Sequence, residues 1–294
     1  MIELRSPDGL ARAAILPEYG GRLHQLSVTV GGHEEPLLWS PVDVREYEER
    51  PTRGGSFPMA PWPNRIREGR FRWQSREFRV PTDGKPHASH GRVFQRAWQV
   101  VSADQAFCHL RCNLDDGWPW SGWAEQRLEM RDGELSMELL VHADREPFPA
   151  GCGWHPWFRR DVAGSRTVRV RVDSPERYVL VENLPTGELT AVDGRFDLRD
   201  GPPLGKRRLD DCYRGLVGEV EIEWESVRLR MAVECDAPHV QVFTPDYALA
   251  VEPQTCVADA FNLAERAAGG VGMQVAEPGT PVRIATRWSW DAQV

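Results

Sequence analysis

The sequence predicts an all-β protein, a large antiparallel β-sandwich with few short helices. Apolar and polar residues alternate along several segments, which is the pattern of strands with one buried face. Glycine (26 residues) and proline (23 residues) recur at short intervals and leave little room for long helices. Helices are predicted only at 42–49 and 258–267, so a many-stranded sandwich is the fold class that fits these patterns.

The clearest predicted strand is segment 134–143, which carries apolar residues at every second position from 135 to 141. Segments 220–224 and 227–233 alternate in the same way. Because only two residues separate them, they predict a tight hairpin. Shorter alternating runs at 168–172 and 284–290 predict further half-buried strands.

Two segments are predicted to be loops. Segment 56–66 has three prolines within six positions, and proline cannot donate to a sheet ladder, so we expect an ordered loop rather than a central strand. Segment 185–206 is rich in glycine, proline and aspartate and predicts a long surface loop rather than a domain boundary. With no internal repeat and no low-complexity linker, residues 1–294 are expected to form a single domain.

Composition excludes several classes of protein. The chain of 294 residues is 41% hydrophobic and carries a net charge of −8, which argues against a general nucleic-acid-binding surface. No window approaches the roughly 20 apolar residues of a membrane span. The N-terminal residues have no apolar stretch and include an early acid, Glu3, so we expect no signal peptide and a cytoplasmic protein. The six cysteines show neither zinc pairing nor a disulfide framework and are expected to be reduced and mostly buried.

The hexapeptide Gly153-Trp154-His155-Pro156-Trp157-Phe158 places one histidine between two indoles. Proline restricts the residue before it to extended geometry, so we expect His155 at a strand end or in a stiff turn. Histidine is the side chain most easily tuned to exchange protons near neutral pH. The residues alone leave two interpretations open, a proton donor to a sugar-like ligand and a buried histidine in an aromatic core.

Glu252 follows an apolar strand directly and is followed by Pro253. A carboxylate at the end of a buried strand loses solvation, which raises its pKa and its basicity. This pattern indicates a candidate general base, and a structural salt bridge is the alternative.

Three further segments carry polar residues that are costly in a plain β core. Asn64 and Arg65 could form hydrogen bonds to vicinal hydroxyls, although the arginine could equally pair with a surface acid. His90 lies three residues after His87, but no carboxylate or cysteine cluster accompanies the two, so a metal site is not expected. Asp210 and the acid after it point to opposite sides of an extended chain, so only one should face a site.

In their order along the chain, these segments resemble the aldose 1-epimerase (galactose mutarotase) family. The matching segments are Asn64-Arg65-Ile66, His90-Gly91, His155-Pro156-Trp157-Phe158, Asp210-Asp211-Cys212-Tyr213 and Glu252-Pro253-Gln254. The resemblance runs from about residue 10 to the C-terminus. It implies the galactose mutarotase-like supersandwich, in agreement with the predicted strands.

The resemblance also implies roles for these residues. Glu252 would take the proton from the C1 hydroxyl of a pyranose, His155 would protonate the ring oxygen, and His90 would assist by hydrogen bonding. The ring would open, the C1–C2 bond would rotate, and closure would give the other anomer without a cofactor or a metal. Other residues would hold hydroxyls of the sugar: Asn64, Arg65 and Asp210, the last preferred to Asp211 because Tyr213 follows it by three.

The two tryptophans depart from the family pattern. Trp157 stands where tyrosine is common and Trp154 where many members have asparagine, so both are candidate sugar contacts that could reshape the pocket. A hexose-6-phosphate epimerase using Arg67, Arg70 and Arg92 stays open. Two further alternatives are a glycoside hydrolase with an Asp210–Glu252 pair and a non-catalytic sugar-binding protein. The expected partner is a small sugar, with no nucleic acid or membrane, and the expected assembly is a monomer or a homodimer.

Overall fold

The computed structural model describes residues 1–114, 117–266 and 268–292. It is all-β, built from two large antiparallel sheets, which confirms the fold class predicted from the sequence. Neither of the two short helices among the described residues is long and apolar enough to cross a membrane.

The strands and helices follow one another closely along the chain. In the first half the elements are β1 (Ile2–Arg5), β2 (Ala11–Leu16), β3 (Arg22–Val30), β4 (His33–Pro36), α1 (Glu46–Glu49), β5 (Ser56–Met59), β6 (Arg65–Ile66), β7 (Arg70–Trp73), β8 (Arg76–Arg79), β9 (Ala88–Ser89), β10 (Gln99–Ala103), β11 (Phe107–Asn113), β12 (Gly122–Arg131) and β13 (Glu134–Ala143). In the second half they are β14 (Phe148–Ala150), β15 (Gly153–Phe158), β16 (Arg169–Arg171), β17 (Glu176–Val181), β18 (Leu184–Ala191), β19 (Asp210–Arg214), β20 (Val220–Glu223), β21 (Val227–Glu234), β22 (His239–Phe243), β23 (Leu249–Gln254), α2 (Ala260–Glu265), β24 (Gln274–Ala276) and β25 (Val282–Ala292).

The first sheet has eleven strands in the order β1-β2-β3-β5-β15-β23-β22-β19-β17-β18, with β4 paired to β3. The second sheet has eight strands in the order β10-β11-β12-β13-β25-β21-β20-β16. Strands β15 and β23, which carry His155 and Glu252, are therefore neighbours in the middle of the first sheet.

The two sheets pack face to face through their apolar residues. Phe158 of the first sheet lies against Trp288 of the second, with ring centroids 5.2 Å apart. The Trp154 indole donates a 2.7 Å hydrogen bond to Gln126 Oε1 of β12 between the sheets. Burying a large apolar side chain of this kind contributes about 1.5–3 kcal/mol, so the interior holds the central strands of the first sheet firmly in place.

The alternating segments form strands as predicted. Segment 134–143 is β13, and the predicted hairpin is β20 and β21, paired from Val220–Met231 to Glu223–Arg228. The predicted helix 42–49 is shorter, because only Glu46–Glu49 is helical. The predicted helix 258–267 is α2, Ala260–Glu265, and its last predicted position lies outside the described residues.

Both loop predictions were partly wrong. Segment 56–66 begins with a central strand, β5. Proline is tolerated there because Pro58 pairs with Trp154 of β15 while its missing N–H faces β3. The pairing of β5 with β3 is confined to Leu23 and Ser56. Segment 185–206 begins inside β18, which pairs with β17 at the sheet edge.

Candidate active site

His155 and Glu252 face each other across the two central strands. β15 and β23 pair at Gly153–Gln254 and again at Trp157–Ala250, and the same register places His155 opposite Glu252. The ladder is interrupted between these pairs, where Pro156 lacks a backbone N–H. The His155 Nε2 atom lies 3.3 Å from Glu252 Oε1.

This pair is nearly sealed from solvent, with 5% of His155 and 2% of Glu252 exposed. Burial, assisted by the positive charges of Arg22 and Arg65, lowers the pKa of His155 to about 3. Burial raises the pKa of Glu252 well above its ordinary value, and the charge of Asp210 adds to that rise. Because both charged forms are disfavoured, the pair holds one proton between an imidazole and a carboxyl.

His90 stands at the edge of this pair in a strained loop. Its backbone has φ +64°, and its N–H donates to the Asn64 carbonyl at 2.7 Å. Gly91 follows because a Cβ there would lie 2.1 Å from the carbonyl oxygen of Ala60. The His90 ring lies 5.3 Å from the His155 ring at 79°, and burial lowers the pKa of His90 well below its ordinary value.

A polar group forms the opposite side of the site, on β19 and β22. Asp210 accepts a 2.7 Å hydrogen bond from Gln241 Nε2, and its other oxygen lies 3.8 Å from Arg65 Nη2. Gln241 is also the cross-strand neighbour of Glu252. The structure thus brings Arg65 and Asp210 to the His155–Glu252 pair, with about a third of each side chain exposed for a ligand.

Asn64 is buried beneath this group rather than exposed within it. Its Oδ1 accepts a 3.1 Å hydrogen bond from Arg65 Nη1, so the amide orients the guanidinium. Asp259 fixes the same loop from the other side, because its N–H donates to the Arg65 carbonyl at 2.6 Å and its Oδ1 accepts from the Arg67 N–H at 2.9 Å. Together these hydrogen bonds hold Arg65 in a fixed position.

The two tryptophans of the hexapeptide lie on opposite faces of β15. Trp157 shares the face of His155 and stacks on its ring at 4.8 Å and 23°. Trp154 points into the core and bonds to Gln126, so the structure does not bring it to the site. The expectation that Trp154 contacts the sugar is therefore corrected, because side chains alternate along a strand and His155 takes the outer face.

Several residues around the pair were not predicted from the sequence. The Phe57 ring stacks on His155 at 4.8 Å, and the Tyr247 ring stacks on Trp157 at 5.7 Å. Gln241 could have been noticed, because it is a polar residue between Val240 and Val242 on the buried strand β22. Phe57 was not predicted because segment 56–66 was expected to be a loop, whereas the residue lies on β5 opposite His155.

The two histidines at 87 and 90 have a spacing that a metal site could use. His87 is turned away, because its Nδ1 accepts a hydrogen bond from the Glu68 N–H at 3.1 Å. Within 1–114, 117–266 and 268–292, no group of three or more histidine, cysteine, aspartate or glutamate side chains is arranged to hold a metal ion.

Comparison with known proteins gives a consistent result. The family model for aldose 1-epimerase matches residues 2–288. The uncharacterized protein YihR of Escherichia coli K12 is 25% identical over 282 residues, covering 90% of this chain and 89% of YihR. Galactose mutarotase of Rattus norvegicus is 30% identical over 158 residues, covering 49% of this chain and 44% of that protein.

Solved structures share the whole fold. A GalM/aldose epimerase homologue from C. elegans superposes with a TM-score of 0.86 at 20% identity, covering 100% of this chain and 99% of that chain. A putative aldose 1-epimerase from Escherichia coli K12 gives 0.83 at 21% identity, covering 99% and 98%. At these identities the likeness shows a galactose mutarotase-like fold, and the family model adds the sequence match over nearly the full length. The chain belongs to the aldose 1-epimerase family.

Proposed function

We propose that the protein is an aldose 1-epimerase that interconverts the α and β anomers of an unphosphorylated aldose. The observation that carries this proposal is the 3.3 Å contact between His155 Nε2 and Glu252 Oε1 in a nearly sealed site. Ring opening of a hemiacetal needs one group to take the O1 proton while another gives a proton to the ring oxygen. A buried pair that shares one proton can supply both groups.

Proton transfers in this scheme leave the proton count of the pair unchanged. With the cyclic sugar, Glu252 is the carboxylate that takes the O1 proton, and His155 is the imidazolium that protonates the ring oxygen. Once the ring is open, Glu252 is protonated and His155 is neutral, which is the form that burial favours. Rotation about C1–C2 and the reverse transfers then close the ring on the other face. His90 is neutral and stands beside His155, where its ring can donate a hydrogen bond to the reacting oxygens.

Arg65 and Asp210 are proposed to hold sugar hydroxyls. Asp210 keeps free lone pairs beyond its bond to Gln241, and Arg65 offers several N–H donors in a fixed plane. Trp157 closes the site beside His155 with an apolar face of the kind that packs against sugar C–H groups.

Two of the three arginines suggested for a phosphate, Arg67 and Arg92, support an unphosphorylated substrate. Arg92 Nη1 lies 3.1 Å from Asp83, and Arg67 Nε lies 3.6 Å from Asp259. Each of these guanidiniums already has a carboxylate beside it, which would compete with a phosphate. We therefore predict that glucose 6-phosphate is not preferred over glucose.

The test is NMR exchange spectroscopy of anomers with the purified protein, over a panel of aldoses and glucose 6-phosphate. Acceleration of an unphosphorylated aldose well beyond the buffer rate is the expected result. His155→Gln should abolish it, whereas His142→Gln, which alters a half-buried histidine on the second sheet, should not.

Each alternative has its own result on this panel. If anomer exchange is accelerated for glucose 6-phosphate alone, the substrate is a phosphorylated aldose. Sugar binding without any acceleration would identify a binding protein, and release of the aglycone from aryl glycosides would identify a hydrolase. Any of these three results would overturn the proposal.

A further inference from the structure

His155 lies inside a column of four aromatic rings. In order, the rings belong to Phe57, His155, Trp157 and Tyr247, with centroid separations of 4.8, 4.8 and 5.7 Å and interplanar angles of 24°, 23° and 20°. The column runs from the interior, where Phe57 is fully buried, to the surface, where Tyr247 is 39% exposed. Two rings, those of Phe57 and Trp157, therefore stack on the His155 imidazole.

Arg22 caps the buried end of this column. Its guanidinium carbon lies 4.8 Å from the centre of the Phe57 ring and 4.1 Å from that of Tyr47. Arg22 is fully buried, and the described residues give it no salt bridge. Burial lowers its pKa to about 10, so it remains a cation at neutral pH.

In place of a carboxylate, the Arg22 guanidinium binds backbone carbonyls of the segment before β5. It donates to the carbonyl oxygens of Pro51, Arg53 (3.3 Å) and Gly54 (2.6 Å). Gly55 makes this approach possible, because a Cβ there would lie 2.6 Å from the Leu23 carbonyl and 3.2 Å from the Arg22 side chain. One guanidinium thus fixes the backbone of residues 51–54.

The same segment holds the ring on the other side of His155. The Trp157 indole N–H donates a 3.0 Å hydrogen bond to the carbonyl of Thr52, which lies between the carbonyls that Arg22 binds. Arg22 therefore supports Phe57 directly and Trp157 through the segment 51–54. These are the two rings that stack on the imidazole.

We propose that Arg22 is a positioning residue that clamps the two rings stacked on His155 and so holds its Nε2 toward Glu252. As a contribution to catalysis, this inference rests on the proposed function. If the imidazole can tilt, it loses its alignment with Glu252. Small misplacements of a catalytic group lower the reaction rate strongly. This role requires a planar side chain that donates several hydrogen bonds at once, which lysine does not provide.

The experiment compares Arg22→Lys and Arg22→Met with wild type in anomer-exchange kinetics, normalised to folded protein by thermal unfolding. We expect kcat to fall about 10- to 100-fold in both variants with little change in KM, since alignment in the transition state is lost rather than sugar binding. Lysine should not rescue, although it keeps the charge. Full activity of Arg22→Lys would overturn the positioning role, because charge alone would then suffice.

Arg171 provides the matched control. Its guanidinium also binds a backbone carbonyl, that of Arg199 at 3.0 Å, but it lies on β16 of the second sheet beside Glu221. Arg171→Lys and Arg171→Met should lower stability without changing kcat of the folded protein. An equal loss of kcat in these controls would show that Arg22 acts only through global stability.

A second readout does not depend on the proposed activity. It uses long-range proton–nitrogen NMR spectra, in which the His155 signals are assigned by their absence in His155→Gln. We expect Arg22→Lys to shift and broaden the His155 signals. Unchanged His155 signals would contradict the clamp. If wild type shows no anomer exchange at all, the proposed function fails while these spectra still decide the clamp.

Phe57→Leu tests the same clamp if the arginine variants do not fold. It keeps apolar volume and leaves the carbonyl bonds of Arg22 intact, but removes the ring between Arg22 and His155. We expect the same fall in kcat and the same change in the His155 signals. A Phe57→Leu protein with wild-type kcat and spectra would overturn the proposal.

Discussion

Asp210 and Asp211 are adjacent acids with different surroundings, because β19 turns them to opposite faces of the sheet. Asp210 meets Gln241 and Arg65 beside the His155–Glu252 pair. Asp211 faces the interior, where its Oδ1 accepts a 3.2 Å hydrogen bond from Arg177 Nη1. Burial raises the pKa of Asp211, with the nearby Arg177 opposing that rise.

We predict that Asp210→Asn raises KM about tenfold, because a hydrogen bond to a charged group is lost from the sugar. Asp211→Asn should leave KM unchanged and lower the free energy of unfolding by about 1–3 kcal/mol, because Arg177 loses its partner. Initial-rate kinetics and denaturant unfolding of the two variants measure these effects. The reverse pattern would show that Asp211 is the sugar ligand.

The His155–Glu252 pair sets the expected pH dependence. Activity requires one proton on the pair. A second proton binds only when the pH falls to the lowered pKa of His155, about 3, and the shared proton leaves only above the raised pKa of Glu252. The neighbouring charged or titratable groups are His90, Arg22, Arg65 and Asp210.

We therefore predict no inflection in kcat/KM near 6.5, the ordinary pKa of histidine, and a nearly flat profile from about pH 5 to pH 7. The measurement is enzymatic anomer exchange across this range after subtraction of the buffer rate. A histidine that titrated independently would instead give a tenfold change per pH unit on one side of 6.5.

Strand β15 separates catalysis from stability by alternation along one element. Trp157 lies on the His155 face, and Trp154 lies between the sheets with its indole bonded to Gln126. We predict that Trp157→Phe lowers kcat, because the bond to Thr52 is lost. Trp154→Phe should cost about 1–3 kcal/mol of stability with kcat/KM unchanged. Kinetics and thermal unfolding of both variants check this, and a kinetic effect of Trp154→Phe would place its side chain in the site.

Strands with one buried face could be predicted from the sequence, because their apolar and polar residues alternate. β13 was predicted with both of its ends for this reason. β5 was missed, because the effect of Pro58 depends on which neighbour its absent N–H would face, and that is decided by pairing with distant strands. The role of Arg22 could not be predicted either, since its partners in segment 51–54 are about thirty residues away and are backbone carbonyls.

The candidate site belongs to the first sheet of the molecule, whereas the second sheet supports it from behind. A cavity of about 410 Å³ does lie on the outer face of the second sheet, lined by residues such as Ser136, Arg283 and Ala285. It contains none of the residues proposed to act on a sugar. We predict that Ser136→Trp, which fills this cavity, leaves kcat/KM unchanged within about twofold. A large loss in kinetic assays of the folded variant would show that the second sheet takes part in activity.

The most direct test of the central claim is anomer exchange by Glu252→Gln, measured by NMR on the best aldose of the panel, with sugar binding measured by calorimetry. Glutamine keeps the shape of the side chain but cannot take the O1 proton. We predict at least about a 100-fold loss of exchange with sugar binding largely kept, while Glu129→Gln, an exposed change on the second sheet, leaves exchange unaltered. Undiminished exchange by Glu252→Gln would contradict the assignment of Glu252 as the base.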